Sequence, residues 1–213
     1  MVEIKFCGLT RPEDAARVAA LGGAYAGVIF AGGPRCLEPA RAARVLDAVE
    51  APVRRVGVFG ATPAAEIARI ARALALDVVQ LHAEPDASVV RQVAGETGCA
   101  VWGVVRIGAA VPPALAALDG VADAIVLDVL VAGGLGGSGR TFDWKLLTAD
   151  ARPRRSRVVA AGGLSSDNVQ AAISALAPDV VDVSSGVERA PGVKDHDRMR
   201  AFADAVRRHS MER

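Results

Sequence analysis

Short runs of aliphatic and β-branched residues recur along this chain at nearly even intervals. They begin near Glu3, Ala24, Arg54, Asp77, Ala100, Asp123, Ser156 and Asp179, with successive spacings of 21, 30, 23, 23, 23, 33 and 23 residues. Segments of helical period lie between them. From Ala64 to Ala75, for example, Ile67, Ile70, Ala71 and Leu74 fall on one face. Thr62-Pro63, Asp143 and Ser165 read as helix starts, and Thr10 with Glu13 has capping-box spacing beside Pro12. Strands joined through helices pair in parallel by right-handed crossovers. Eight such units predict an α/β fold, a (β/α)8 TIM barrel. A doubly wound open sheet is the alternative, but no Gly-rich dinucleotide fingerprint follows the first strand. No stretch reads as a linker, so residues 1–213 are expected to form a single barrel domain.

Composition narrows the class of partner. A net charge of +1 makes no electrostatic case for nucleic acid or an acidic membrane surface. The basic run Arg152-Pro153-Arg154-Arg155-Ser156-Arg157 reads as a solvated connection. Three irregularly spaced cysteines, Cys7, Cys36 and Cys99, argue against a disulfide framework. Neither a signal peptide nor an apolar run of the ~18 residues that a membrane span needs is evident. The expectation is a reduced, cytoplasmic, soluble protein, with no membrane and no nucleic acid among its partners.

The two long spacings place extra residues after the second strand, in Ala31-Gly32-Gly33-Pro34-Arg35-Cys36, and after the sixth, from Val129 to Thr141. Both lie at C-terminal strand ends, where barrels of this class carry their sites. Three strand ends on that face are Gly-rich: Gly133 to Thr141, Ala161-Gly162-Gly163-Leu164-Ser165, and Asp182-Val183-Ser184-Ser185-Gly186. Glycine lets backbone N–H groups approach an anion, and loops after the seventh and eighth strands commonly hold phosphate. A small-molecule phosphorylated ligand is therefore expected, although tight turns alone would also use these glycines.

Four further strand-end groups can carry chemistry. Cys7 ends the first run and is either a reactive thiol or a small apolar filler. Asp128 ends the sixth, where burial can raise a carboxyl into the range of a general acid, unless it is salt-bridged or capping. Arg35 can take a carboxylate bidentately or lie on the surface. His82 ends the fourth run as a site residue or a capping histidine. Arg106 reads as structural. A catalytic zinc needs about three clustered ligands. His196 and His209 fall in the last helical segment, so no metal is expected.

These residues resemble a known family. Lys5-Phe6-Cys7-Gly8 is similar to the Lys-Ile-Cys-Gly opening of the phosphoribosylanthranilate isomerases. The likeness runs in order through Gly57-Val58-Phe59, Val79-Gln80-Leu81-His82 and Leu127-Asp128. It continues through Gly136 to Trp144, Ala161 to Leu164, Asp182 to Glu188 and Pro191 to Asp195. The resemblance implies a cofactor-free aldose–ketose isomerase that carries out an Amadori rearrangement in tryptophan biosynthesis. Cys7 would then be the general base and Asp128 the general acid. Arg35 would contact the anthranilate carboxylate, with His82, Gly137, Ser138 and Gly139 also binding substrate. Gly162, Gly163, Ser184, Ser185 and Gly186 would hold the phosphate. The second loop is one residue shorter than usual and lacks a Ser, and Ala83 follows His82 where Gly is usual. Another sugar-phosphate isomerase, or a phosphosugar-binding protein without catalysis, is the rival reading. Either a monomer or a homodimer is compatible with the sequence.

Overall fold

A computed structural model describes residues 1–129, 143–147 and 152–211. The chain opens with β1 (Glu3–Phe6), α1 (Pro12–Ala15), α2 (Arg17–Ala20) and β2 (Tyr25–Ile29). Then come α3 (Pro39–Leu46), β3 (Arg54–Phe59), α4 (Ala64–Ala73), β4 (Val78–Leu81) and α5 (Ala87–Thr97). β5 (Ala100–Ile107), α6 (Ala114–Leu118) and β6 (Ala124–Val129) follow. A 3-10 turn at Trp144–Leu146 precedes β7 (Arg157–Ala160), α7 (Val169–Leu176) and β8 (Val180–Val183). A small antiparallel hairpin, β9 (Glu188–Ala190) and β10 (Val193–Lys194), leads into α8 (His196–Met211).

Strands β1 to β8 pair in order, all in parallel, and β8 closes back on β1. Each begins within one residue of the position expected from the sequence. Both faces of such strands are covered, which is why they read as continuous apolar runs. The core has two shells. Between strands and helices lie residues such as Phe6, Val28, Phe59, Ile67 and Phe202. Inside the barrel lie Tyr25, Val56, Val78, Trp102, Val104, Ala124, Val126, Val159 and Val180. Tyr25 and Trp102 meet edge-to-face at 4.8 Å between centroids, the aromatic pair of the inner cluster, while Phe6, Phe59 and Phe202 lie in the outer shell.

The amphipathic reading of the fourth helix holds, since Ile67, Ile70, Ala71 and Leu74 are all buried. Two helix starts differ. No side-chain hydrogen bond caps α1; Thr10 Oγ1 instead donates to the Gly192 carbonyl in the β9–β10 turn. α7 begins at Val169 rather than near Ser165, because Asn168 ties the preceding turn by accepting from Ser165 N–H and donating to Gly163 O. The basic run also departs from expectation at one end. Arg157 reaches Tyr25 Oη at 2.9 Å and Glu3, which Arg54 contacts at 2.7 Å, and these residues close the N-terminal end of the barrel.

Candidate active site

Alternation along β1 sends Ile4 and Phe6 toward the helices and Lys5 and Cys7 toward the barrel axis. β8 does the same with Asp182 and Ser184. The closing register sets Lys5 opposite Asp182. Lys5 is fully buried, and its Nζ donates to Asp182 Oδ2 at 2.7 Å. Cys7 stands one step nearer the mouth and is 6% exposed. Room for both side chains comes from Gly27 on β2. A Cβ there would lie 3.2 Å from Cys7 Sγ and 3.3 Å from Lys5 Cε. Burial pushes the Cys7 thiol above its ordinary value; the Lys5 ammonium opposes the shift and Asp182 adds to it.

Across the mouth, Asp128 ends the apolar part of β6. One carboxylate oxygen, Oδ1, accepts from the Val129 N–H at 2.8 Å. Burial raises its pKa above the usual carboxyl value, with the His82 imidazole pulling the other way. A carboxyl raised in this way keeps its proton to a higher pH than an ordinary one, which suits a general acid. Gly162, at φ +82°, leaves the space this group needs. A Cβ there would come within 2.7 Å of Asp128 Oδ1.

Cys7, Asp128, His82, Gly162, Gly163, Ser184 and Ser185 all line one cleft of about 910 Å³, open to solvent at the C-terminal strand ends. Arg35 lines it too, from the loop after β2. Its Nε and Nη2 donate to the Glu188 carboxylate at 2.8 and 2.6 Å, which leaves the Nη1 edge of the guanidinium for another acceptor. Ile29, Ala31, Pro34 and Val58 give the same wall apolar surface. Gly186 is not in the lining. It packs so tightly that a Cβ would fall 1.9 Å from the Leu164 carbonyl oxygen, so it lets the loops after β7 and β8 touch. Gly137, Ser138 and Gly139 lie outside the described residues. Arg106 is tied to Glu84 at 3.0 Å, in keeping with a structural part.

Several cleft groups were not singled out from the sequence. Gln80 and Asp182 line the cleft, and each has a buried oxygen (Gln80 Oε1, Asp182 Oδ1) without a hydrogen-bond partner among the described residues. The same holds for Ser184 Oγ. Glu188 and Lys194 form a buried pair at 2.8 Å behind Arg35. Period-two alternation was the available signal: Lys5 shares the inward face with Cys7, and Asp182 with Ser184. Among the described residues, no group of three or more His, Cys, Asp or Glu is arranged to hold a metal. No helix among them is long and apolar enough to cross a membrane.

A family model described as N-(5'phosphoribosyl)anthranilate (PRA) isomerase matches residues 4–205. The N-(5'-phosphoribosyl)anthranilate isomerase of Acidithiobacillus ferrooxidans is 41% identical over 210 residues, covering 97% of this chain and 98% of that protein. The crystal structure of the Thermotoga maritima phosphoribosyl anthranilate isomerase matches with a TM-score of 0.85 and 35% identity, over 97% of this chain and 99% of that one. Dimeric and monomeric forms of the Thermotoga enzyme are described. A further isomerase structure is a complex with reduced 1-(o-carboxyphenylamino)-1-deoxyribulose 5-phosphate. It matches with a TM-score of 0.83 and 32% identity, over 97% of this chain and 99% of that one.

Proposed function

The chain belongs to the N-(5'-phosphoribosyl)anthranilate isomerase family, and on that premise we propose how its cleft performs the reaction. The protein is an isomerase of tryptophan biosynthesis. It converts N-(5'-phosphoribosyl)anthranilate to 1-(2-carboxyphenylamino)-1-deoxyribulose 5-phosphate by an Amadori rearrangement.

Asp128 gives its proton to the ribose ring oxygen as the bond from that oxygen to C1 breaks. The nitrogen lone pair forms the C=N bond, leaving a protonated imine at C1. The imine acidifies the C2 proton, which the Cys7 thiolate removes. The resulting enolamine takes a proton at C1 from the Cys7 thiol and gives the proton of its C2 hydroxyl to the Asp128 carboxylate, which forms the ketone and returns both side chains to their starting states. Hydrogen moves within the substrate by proton transfers alone, so the two side chains balance the chemistry without a cofactor.

The phosphate rests on Gly162, Gly163, Ser184 and Ser185, with Gly186 permitting the close approach of their loops. The anthranilate ring lies against Ile29, Ala31 and Pro34, and its carboxylate takes the Nη1 edge of Arg35. His82 completes the substrate contacts made by the described residues. Residues 1–213 work as one barrel domain, as a monomer or a homodimer. A base that must remain a free thiol suits the reducing cytoplasm.

The observation that carries this reading is that the thiol of β1 and the raised carboxyl of β6 open onto one cleft, with the Gly-rich ends of β7 and β8 forming a third wall. The test is to supply N-(5'-phosphoribosyl)anthranilate to purified protein and follow loss of its anthranilate-type fluorescence. Turnover abolished by substituting Cys7 or Asp128 supports the roles. A protein that binds the product analogue but never turns substrate over would leave only a phosphosugar-binding barrel.

A further inference from the structure

We propose that Lys5 is a positioning residue for the reaction, its ammonium setting how readily the Cys7 thiol ionises, with Asp182 as the counterweight. The inference rests on the reading of Cys7 as the base. Lys5 has no exposure at all and lies directly beneath Cys7 on the inward face of β1. Both side chains come within van der Waals reach of the same point over Gly27. An ammonium in the centre of an apolar barrel is costly to keep. Asp182 satisfies part of its charge at 2.7 Å. The barrel could have held a hydrophobic pair in that space, so the buried charges do not serve packing.

The groups facing Cys7 come from several elements. Lys5 is on β1, Asp182 on β8, and Glu188 and Lys194 are on the β9–β10 hairpin. Arg35 reaches over from the loop after β2, and Asp128 faces them from β6. Among the described residues, the cations Lys5, Arg35 and Lys194 that act on Cys7 outnumber the carboxylates paired with them, Asp182 and Glu188, by one. A thiol at Cys7 leaves that surplus standing, and a thiolate cancels it. Lys5 is the cation best suited to the task. Burial alone would lower its pKa, but Asp182 and Cys7 outweigh burial and raise it, whereas burial holds Lys194 below its ordinary value. Asp182 anchors the ammonium and also repels the thiolate, so the two residues act on Cys7 with opposite sign.

Alkylation of the free enzyme by iodoacetamide reads the thiolate directly, with a Cys7→Ser variant providing the background from Cys36 and Cys99. Lys5→Met should slow Cys7 alkylation at neutral pH by about tenfold or more, and Asp182→Asn should speed it, since a nearby charge moves a pKa by about one unit or more. A residue that only filled space would not produce shifts of opposite direction. If Lys5→Met does not fold, Lys5→Met/Asp182→Asn removes both charges together. Comparing it with Asp182→Asn isolates Lys5, and alkylation should again be slower. Rates unchanged within about twofold across these variants would overturn the proposal. If alkylation shifts as expected while the pH profile of kcat/KM stays fixed, Lys5 controls the thiol but Cys7 is not the base. That outcome keeps the hold of Lys5 on the thiol but overturns its part in the reaction together with the assignment of the base, whereas unchanged alkylation overturns the hold of Lys5 alone.

Discussion

Glu188 holds Arg35 by its Nε and Nη2 edge, at 2.8 and 2.6 Å, across the mouth of the barrel. The carboxylate is gripped in turn by Lys194 Nζ, which also donates to the Ser184 carbonyl at 3.0 Å. The loop after β2 is thus fastened to the hairpin after β8. A guanidinium locked on one edge presents the other in a fixed direction, so little rotamer freedom is lost when a carboxylate docks. Gly8, at φ +69°, makes the crossing possible. A Cβ there would lie 2.7 Å from Arg35 Cδ and 2.9 Å from Ser184 Oγ.

Arg35 and Glu188 should therefore fail in different ways. Arg35→Ala removes a charged hydrogen-bond donor worth about 1.5–3 kcal/mol, so KM should rise roughly ten- to hundredfold with little change in kcat. A substrate analogue without the carboxylate should be nearly indifferent to the change. Glu188→Gln strands the buried Lys194 ammonium and should cost about 3 kcal/mol of folding stability in a urea titration. A Glu188→Gln protein as stable as the parent would show that the pair contributes no net stability.

Cys7→Ser keeps the size and shape of the side chain but replaces the thiol with an alcohol that does not ionise near neutral pH. kcat should fall by at least about a thousandfold. Reduced product analogue should still bind with nearly unchanged affinity, measured by titration calorimetry. Turnover close to that of the parent would remove Cys7 from the mechanism.

The strands were legible because a parallel sheet buried on both faces leaves continuous apolar runs, and the expanded loop after β2 lines the cleft at the C-terminal strand ends. Cys7, Asp128 and the Gly-rich segments after β7 and β8 all lie at strand ends that face this cleft. What escaped were partnerships made by closure. Lys5 meets Asp182 only because β8 pairs with β1, which brings together residues 177 apart in sequence. Thr10 looked like a local cap, but the fold offers it the Gly192 carbonyl 182 residues away, which local spacing does not disclose. The hairpin that carries Glu188 and Lys194 is too short to show an alternation, so the clamp on Arg35 left no local signal.

The glycines proposed to hold the phosphate should separate into binding and packing roles. Gly186→Ala drives a Cβ to 1.9 Å from a backbone oxygen, so the protein should be recovered poorly or melt far lower. Gly162→Ala strains φ and crowds Asp128 Oδ1, so the folded fraction should lose kcat as well as phosphate affinity. Ser184→Ala deletes a buried hydroxyl without a partner among the described residues, so stability should hold or rise. Inhibition by inorganic phosphate should weaken about tenfold in that variant, roughly the worth of one hydrogen bond to a charged group. Unaltered phosphate inhibition would place the anion elsewhere.

Asp128 offers a test in which stability and catalysis move apart. Its folded-state pKa is raised, chiefly by burial. A carboxyl shifted that way favours the folded state below its unfolded pKa, and the contribution is lost as pH rises through the folded pKa. Asp128→Asn removes the ionisation, so the variant should melt higher than the parent at neutral pH. The advantage should vanish as pH falls toward the ordinary carboxyl range. Activity should go the other way, falling at least about a hundredfold in kcat for loss of the acid. The shape of the rate profile should change too. The parent needs Asp128 protonated and Cys7 ionised, so its kcat/KM should be flat between the two pKa values. Without the acid, the residual rate should climb about tenfold per pH unit until the thiol has ionised. Differential scanning calorimetry and kcat/KM profiles of the two proteins check both halves. A residual rate independent of pH below the thiol pKa would mean that Asp128 and Cys7 do not share the proton transfers.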